Sequence, residues 1–538
     1  MLRRSARPAM ALVALSACAA PTGPLRPGTG AGPRELCDPG PLPARIRRLT
    51  AEELRAAAAA LLGPELGPPP HGLGPDPRTD GYDNDPEALV VTEHFGEQWL
   101  AAVEHYAARA ELDRWACPGP APPPACVGAA VRDLAGRAFR RAPTDAEVEG
   151  LLAVYATAAD EGHRAALELV VQAALMSPSF LYRTELGPPA REPSTAADVE
   201  LTADEVAVAL AFLVTGHPPD AALRALAHDG SLASPDVRAR EVRRLFAAGE
   251  RRQVALLRQW LGVGELGPMP KDPATYPSYN GALRASMEHD LDAFLAHVVA
   301  DGGSYEELMT SPVAYVDDAL AAVYGLAPGP AYDPSRATRL PPGERSGVLT
   351  RAAVLARYAH PDGSSPVQRG AFVLRRLLCA ELDDPPAGVT TDLPAPVAGT
   401  TTRDRVAAHS ASAACRGCHA RIDPIGFGLE AYDGLGRYRT AEGEAPIDDA
   451  GAIQEPGDAA GPFRGGVELA ARMATSADAR ACFAREAGRY LEARYDGSCP
   501  AAVEGIDVAA GDVGLLDVLI ATVRDPRFVR RAWPGEAP

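Results

Sequence analysis

A mainly α, multi-domain fold is what the sequence predicts, and three observations carry that expectation. Thr50-Ala-Glu-Glu53, Thr144-Asp-Ala-Glu147 and Thr202-Ala-Asp-Glu205 each place a Thr three residues before a Glu. In this capping box the Thr hydroxyl and the Glu carboxylate satisfy two backbone donors that a helix start otherwise leaves unpaired. Apolar residues then recur at helical spacing, among them Val206, Leu210 and Leu213. A later stretch puts Leu291, Phe294, Leu295, Val298 and Val299 on one face. Sustained two-residue alternation, the mark of half-buried strands, is not evident. At 538 residues the chain exceeds what one ordinary core supports, so several units are expected.

Taken in order, the chain opens on an export signal. Arg3, Arg4 and Arg7 form a positive head and Met10 to Leu15 a short apolar core, far below the ~20 residues that span a bilayer. Leu15-Ser-Ala-Cys18 resembles a lipobox, so residues 1–17 read as a lipoprotein signal peptide and Cys18 as the lipidation site. An ordinary secretory signal that contains a cysteine is the alternative. Residues 18–41 follow as a lipidated tether, 42–116 as an N-terminal helical domain and 117–185 as a second one. Pro- and Gly-rich runs at 63–85 and 118–124 interrupt their helices, and 185–200 and 327–345 read as linkers. Residues 200–326 form the expected central helical domain, 340–445 a segment carrying the cysteine motif, and 460–535 a C-terminal helical domain. No other stretch is apolar for long enough to cross a membrane, so the membrane is reached through the lipid anchor alone. The expected location is the periplasm, or the outer membrane or cell surface.

A net charge of −18 argues against nucleic acid as a partner, because phosphate binding needs clustered Lys and Arg. Lys271 is the only lysine, while Arg, Ala, Pro and Gly abound; this reads as GC-rich coding bias and carries no function. With Cys18 assigned to lipid, eight of nine cysteines remain, and outside the cytoplasm thiols tend to pair. Cys117 with Cys126 and Cys482 with Cys499 flank short loops, each able to close a disulfide worth about 2–3 kcal/mol. Cys37 and Cys379 are left as a third candidate pair, with connectivity open.

Cys415-Arg-Gly-Cys418-His419 stands apart. Two thiols at this spacing can each form a thioether to a haem vinyl group, and the adjacent imidazole then reaches the iron from the proximal side. With nine cysteines and 11 histidines in the chain, about 0.003 accidental matches are expected. The fold expectation thus becomes a mainly α, multi-domain helical protein with a small cytochrome-c-like segment holding one covalent haem c. A CxxC disulfide and a zinc site completed by His409 are the alternatives. His409 and Met473 are the candidate distal ligands, with Met473 also falling on an apolar helical stripe. Asp423-Pro424 is expected to stop the motif's helix and offer a carbonyl to His419. Phe427, Leu429 and Tyr432 are candidates for an apolar wall against the porphyrin, and Arg437 and Arg439 for partners of its propionates.

Beyond the motif, five stretches resemble a family of large exported proteins of planctomycetes and myxobacteria, assembled from a fixed series of domains of unknown function. They are Arg47-Arg-Leu-Thr50 to Gly63 with Gly81-Tyr-Asp-Asn84, and Cys126 to Arg141 with Ser177-Pro-Ser-Phe-Leu-Tyr-Arg183. The third is Leu201-Thr-Ala-Asp-Glu205 through Gln259-Trp-Leu261 to Tyr324-Gly325. The fourth joins Arg345-Ser-Gly-Val-Leu349 and Ser365-Pro-Val-Gln-Arg-Gly370 to the Cys415–Arg439 block, and the fifth surrounds Cys482 and Arg489. Ala142 stands where the family pattern has proline. The resemblance implies a cytochrome-c-like segment and association with other cytochrome-type modules, and it implies no particular reaction. Three functions follow for weighing: electron transfer to a redox partner protein, a haem-dependent oxidoreductase or peroxidase-like enzyme with Asp423, Glu430 or Asp433 as acid or base, and a non-haem surface scaffold. The sequence does not decide whether the chain is an enzyme. No phosphate loop, HExxH or nucleophile elbow is evident.

Overall fold

The computed structural model describes residues 42–119, 122–188, 198–264, 267, 269–327, 331–383, 399–411, 413–495, 500 and 504–532. The expected signal peptide and tether over residues 1–41, with Cys18 and Cys37, and also Cys499, lie outside the described residues.

The first six long helices are α1 (Ala51–Leu62), α2 (Glu93–Ala107), α3 (Pro124–Phe139), α4 (Asp145–Thr157), α5 (His163–Met176) and α6 (Ala203–Thr215). The three capping boxes start α1, α4 and α6, each with both reciprocal hydrogen bonds made. Helices α1–α5 enclose a core that includes Leu54, Trp99, Val131, Leu134, Val170 and Phe180. Trp99 stacks on Phe180 at 6.0 Å and donates its indole N–H to the Leu175 carbonyl. Arg140 takes the left-handed conformation (φ 60°) that ends α3 and donates to the carbonyls of Ala138, Ser179, Phe180 and Tyr182 at 2.8–3.1 Å. One buried guanidinium thereby ties the Arg140-Arg141 turn to the Ser177–Arg183 stretch.

A second, larger core runs from Leu201 to Phe528 and also takes in Tyr82. It is built by α6, α7 (Pro235–Phe246), α8 (Glu250–Trp260), α9 (Gly281–Ala300), α10 (Pro366–Phe372), α12 (Ala413–Phe427), α13 (Gly465–Thr475), α14 (Ala477–Glu492) and α15 (Leu515–Arg524), while α11 (Thr402–Ser410) lies outside it against α10 and α12. The central, motif-bearing and C-terminal stretches therefore share one interior. Within it, Leu291, Phe294, Leu295 and Val298 of α9 are fully buried, as their spacing requires. Helix α6 is buried on every side: Val206 and Leu210 belong to the large core, Val208 and Phe212 to the first. The loop at Gly81–Asn84 docks the first unit on α14 and α8. Tyr82 donates to Glu486 at 3.1 Å, Asn84 to the Tyr490 carbonyl at 2.7 Å, and Asp83 exchanges hydrogen bonds with Gln259.

Strands among the described residues are two to four residues long and form five antiparallel pairs. Pieces this short cannot show alternation in sequence, which is why none was expected. In order, the ones that matter are β1 (Arg45–Arg48), β2 (Tyr182–Glu185), β3 (Asp198–Glu200), β4 (Ala450–Ile453), β5 (Gly461–Arg464) and β6 (Arg530–Ala532). Pairs β1–β2 and β3–β6, with a bridge from Pro43 to Ala532, bring the first and last described segments together.

Cys117 is bonded to Cys126, as the short loop suggests. The other expected pairings are corrected: Cys482 is bonded to Cys379, 103 residues away, and not to Cys499, which also removes Cys379 as a partner for Cys37. Loop length favours the near neighbour in an unfolded chain, but the fold decides, and it lays the end of the α10 segment against α14.

Candidate functional site

The cysteine motif rides on α12, and α12 is held by its crossing with α10. The two backbones touch. A Cβ on Gly370 would overlap the Ile422 carbonyl, and one on Gly426 the Pro366 carbonyl. Ile422 and Ile425 are buried in the same contact. This packing carries the helix through Pro424 to Phe427, correcting the expected stop at Asp423-Pro424. Pro424 costs the helix one backbone hydrogen bond, and the close contact with α10 offsets it. Behind the helix, Arg369 donates to the carbonyls of Leu429, Tyr432 and Asp433 at 2.7–2.9 Å, while Arg345 reaches those of Thr350 and Gly436. Two buried arginines thus clamp the loop that follows the motif.

Cys415 and Cys418 lie three residues apart on α12, on adjoining turns of one face. Cys415 is half-buried, Cys418 is exposed, and neither is disulfide-bonded, unlike the other four described cysteines. His419 is half-buried beside them. Its Nδ1 lies 2.9 Å from a carboxylate oxygen of the buried Asp423, one turn on. The carboxylate, rather than the expected backbone carbonyl, orients the ring. That hydrogen bond raises the His419 pKa above its ordinary value, against the lowering caused by burial. With Nδ1–H engaged, Nε2 is the nitrogen left to bind a ligand.

His409, near the end of α11, sets its ring edge-on to His419, centroids 5.3 Å apart. Met473 is fully buried in α13 as part of the large core. Of the two candidate distal ligands, His409 is the one in ring contact with His419. The zinc alternative needs Cys415, Cys418, His409 and His419 to converge, and no group of three or more such side chains is arranged to hold an ion among the described residues.

Several residues expected at the porphyrin are occupied elsewhere. Leu429 and Tyr432 are in the large core, and Phe427 lies under the Arg403 guanidinium at 4.5 Å. Arg437 pairs with Asp433 at 2.7 Å, and Arg439 with Glu430 at 3.6 Å and Ser364 at 3.2 Å. The candidate acids and bases are structural too. Asp433 accepts from the backbone of Leu435 and Arg437, and buried Glu430 accepts from Ser364 between Arg369 and Arg439. Burial pushes the Glu430 pKa up, against those two arginines.

The residues present fit a covalently attached haem: two free thiols on an accessible face, and an imidazole held in the orientation and tautomer a proximal ligand needs. Four family models match the chain, each described as a protein of unknown function. They are PSD3 (DUF1587) over residues 47–111, PSD5 (DUF1595) over 126–185, PSD4 (DUF1592) over 201–326 and PSCyt3 (DUF1588) over 345–442. The chain carries all four domains. The Cys415–His419 motif and its Arg345 and Arg369 clamps lie in PSCyt3, while PSD3 contributes the Tyr82–Asn84 loop that docks on α14. No curated protein and no solved structure is significantly similar to the chain.

Proposed function

We propose that this chain is a c-type haem protein of the cell exterior that passes electrons to a redox partner protein. One observation carries the reading: among the described cysteines only Cys415 and Cys418 stay unpaired, and they stand beside an imidazole whose Nδ1 is pinned by Asp423. A haem bound there supplies reversible one-electron chemistry at iron. Cys415 and Cys418 would tether it, and His419 would present Nε2. Asp423 keeps the ring from turning and, by accepting from Nδ1, makes Nε2 the better donor. His409, already against His419, is the side chain nearest to hand for the opposite face, which favours a closed iron and electron transfer over an open, oxidant-activating site. Of the carboxylates that an enzyme reading would use, Glu430 and Asp433 are committed to the loop and Asp423 to His419, which weighs the same way.

The reading includes export and lipidation at Cys18. The two disulfides suit an oxidising compartment, and no described helix is long and apolar enough to cross a membrane. Expressed in a host that matures cytochromes, the purified chain is expected to be red, to keep its pigment through acid–acetone extraction, and to show no spectral change when carbon monoxide meets the reduced form. A carbon monoxide complex would move the reading to an open-face enzyme. A colourless product would end it.

A further inference from the structure

Away from the motif, where the two cores meet, the structure holds a small, partly open cavity of about 30 Å³. Its wall carries six arginines, Arg45, Arg47, Arg183, Arg494, Arg527 and Arg531, against two carboxylates, Glu185 and Glu492. We propose that this cavity is a binding site for a small oxyanion of the phosphate or carboxylate class, seated by Arg183 together with Arg47 and Arg531.

The arrangement of partners leads there. Glu185 alone serves three guanidiniums, at 3.1 Å from Arg45, 3.4 Å from Arg47 and 2.8 Å from Arg531. Glu492 faces Arg494 at 3.2 Å, and Arg527 is held from outside the wall by Asp525 and Glu504 at 2.7 Å. Arg183 is left over. It is 5% exposed, its guanidinium rests over the Phe212 ring at 5.5 Å, its buried Nε has no acceptor, and among the described residues it makes no side-chain hydrogen bond or ion pair, Glu53 and Glu185 acting on it only through space. Cross-strand register places it opposite Arg47, a like charge. Glu53, another buried carboxylate, is already paired with Arg252 and capping α1.

A desolvated guanidinium without an acceptor is costly, and its planar fork of donors matches a carboxylate or phosphate edge. Burial and the neighbouring Arg47 pull Arg183 down to about 9, and burial likewise pulls Arg45 down to about 10 despite Glu185. A bound oxyanion supplies the missing acceptors and balances the excess charge. Because the wall draws on β1, β2, α6, the end of α14, α15 and β6, the anion also bridges the PSD3–PSD5 unit to the large core.

Calorimetric titration of the mature chain with inorganic phosphate and, separately, with malonate tests this at low ionic strength. Saturable binding of about one equivalent of either anion is expected, at least tenfold weaker in Arg183→Gln; whichever anion binds names the class. No saturable heat from either, or unchanged affinity in Arg183→Gln, would overturn the proposal. Should Arg183→Gln fail to fold, Arg183→Lys keeps the charge and loses the fork. It is expected to bind at least fivefold more weakly, and equal affinity would again overturn the site.

Discussion

Asp290 and Arg351 meet where neither touches water. The carboxylate lies 2.8 Å from Arg351, accepts from the Tyr324 hydroxyl at 2.6 Å and from the Tyr315 backbone at 2.8 Å, and both side chains are essentially unexposed. Arg351 also stacks on Phe294 at 3.6 Å. A buried pair is weak evidence of net stability, but removing one partner strands the other charge. Asp290→Ala is therefore expected to cost about 3–5 kcal/mol, read as a shifted urea midpoint, and an effect below about 1 kcal/mol would contradict the buried geometry. At this scale the sequence was partly legible. The motif named Cys415, Cys418 and His419, and Asp423 was singled out beside them, but its side chain does what its carbonyl was expected to do. Spacing alone cannot choose between two oxygens of one residue. Arg183 sat in a quoted stretch with nothing to mark it, because the lack of a partner is a fact of tertiary structure.

Elements follow the same division. Capping boxes and apolar stripes announced α1, α4, α6 and α9 because helical signals are local. The box Thr401–Asp404 that starts α11 went unread because Asp stands where Glu or Gln is usual. The continuation of α12 through Pro424 was illegible for the opposite reason: it rests on α10, some fifty residues earlier. The glycine contact makes that dependence measurable. Gly426→Ala would force the α10–α12 crossing apart and is expected to destabilise by about 1–3 kcal/mol. Gly417→Ala on the exposed side of the same helix, with nothing within 4 Å of its Cβ position, should be neutral or slightly stabilising. Thermal unfolding of the two variants compares them, and equal behaviour would count against the crossing.

Across the whole molecule, the quoted motif stretches prove to be fasteners as well as signatures. The Gly81–Asn84 loop and the Gln259-Trp260 pair join distant segments, with Trp260 donating to the Arg376 carbonyl at 2.9 Å. The Cys379–Cys482 bond closes 103 residues across the same region. Converting both cysteines to Ser should cost about 2–5 kcal/mol through loop entropy, seen as a lower unfolding temperature. An unchanged temperature would contradict that bond. On the proposed reading this scaffolding holds α12 in place with its two thiols unpaired. Intact-mass measurement of the chain matured in a cytochrome-producing host tests that claim most directly. The wild type is expected to carry the added mass of one haem and Cys415→Ala/Cys418→Ala none; an unmodified wild-type mass, or a Cys415–Cys418 disulfide in its place, would contradict the account.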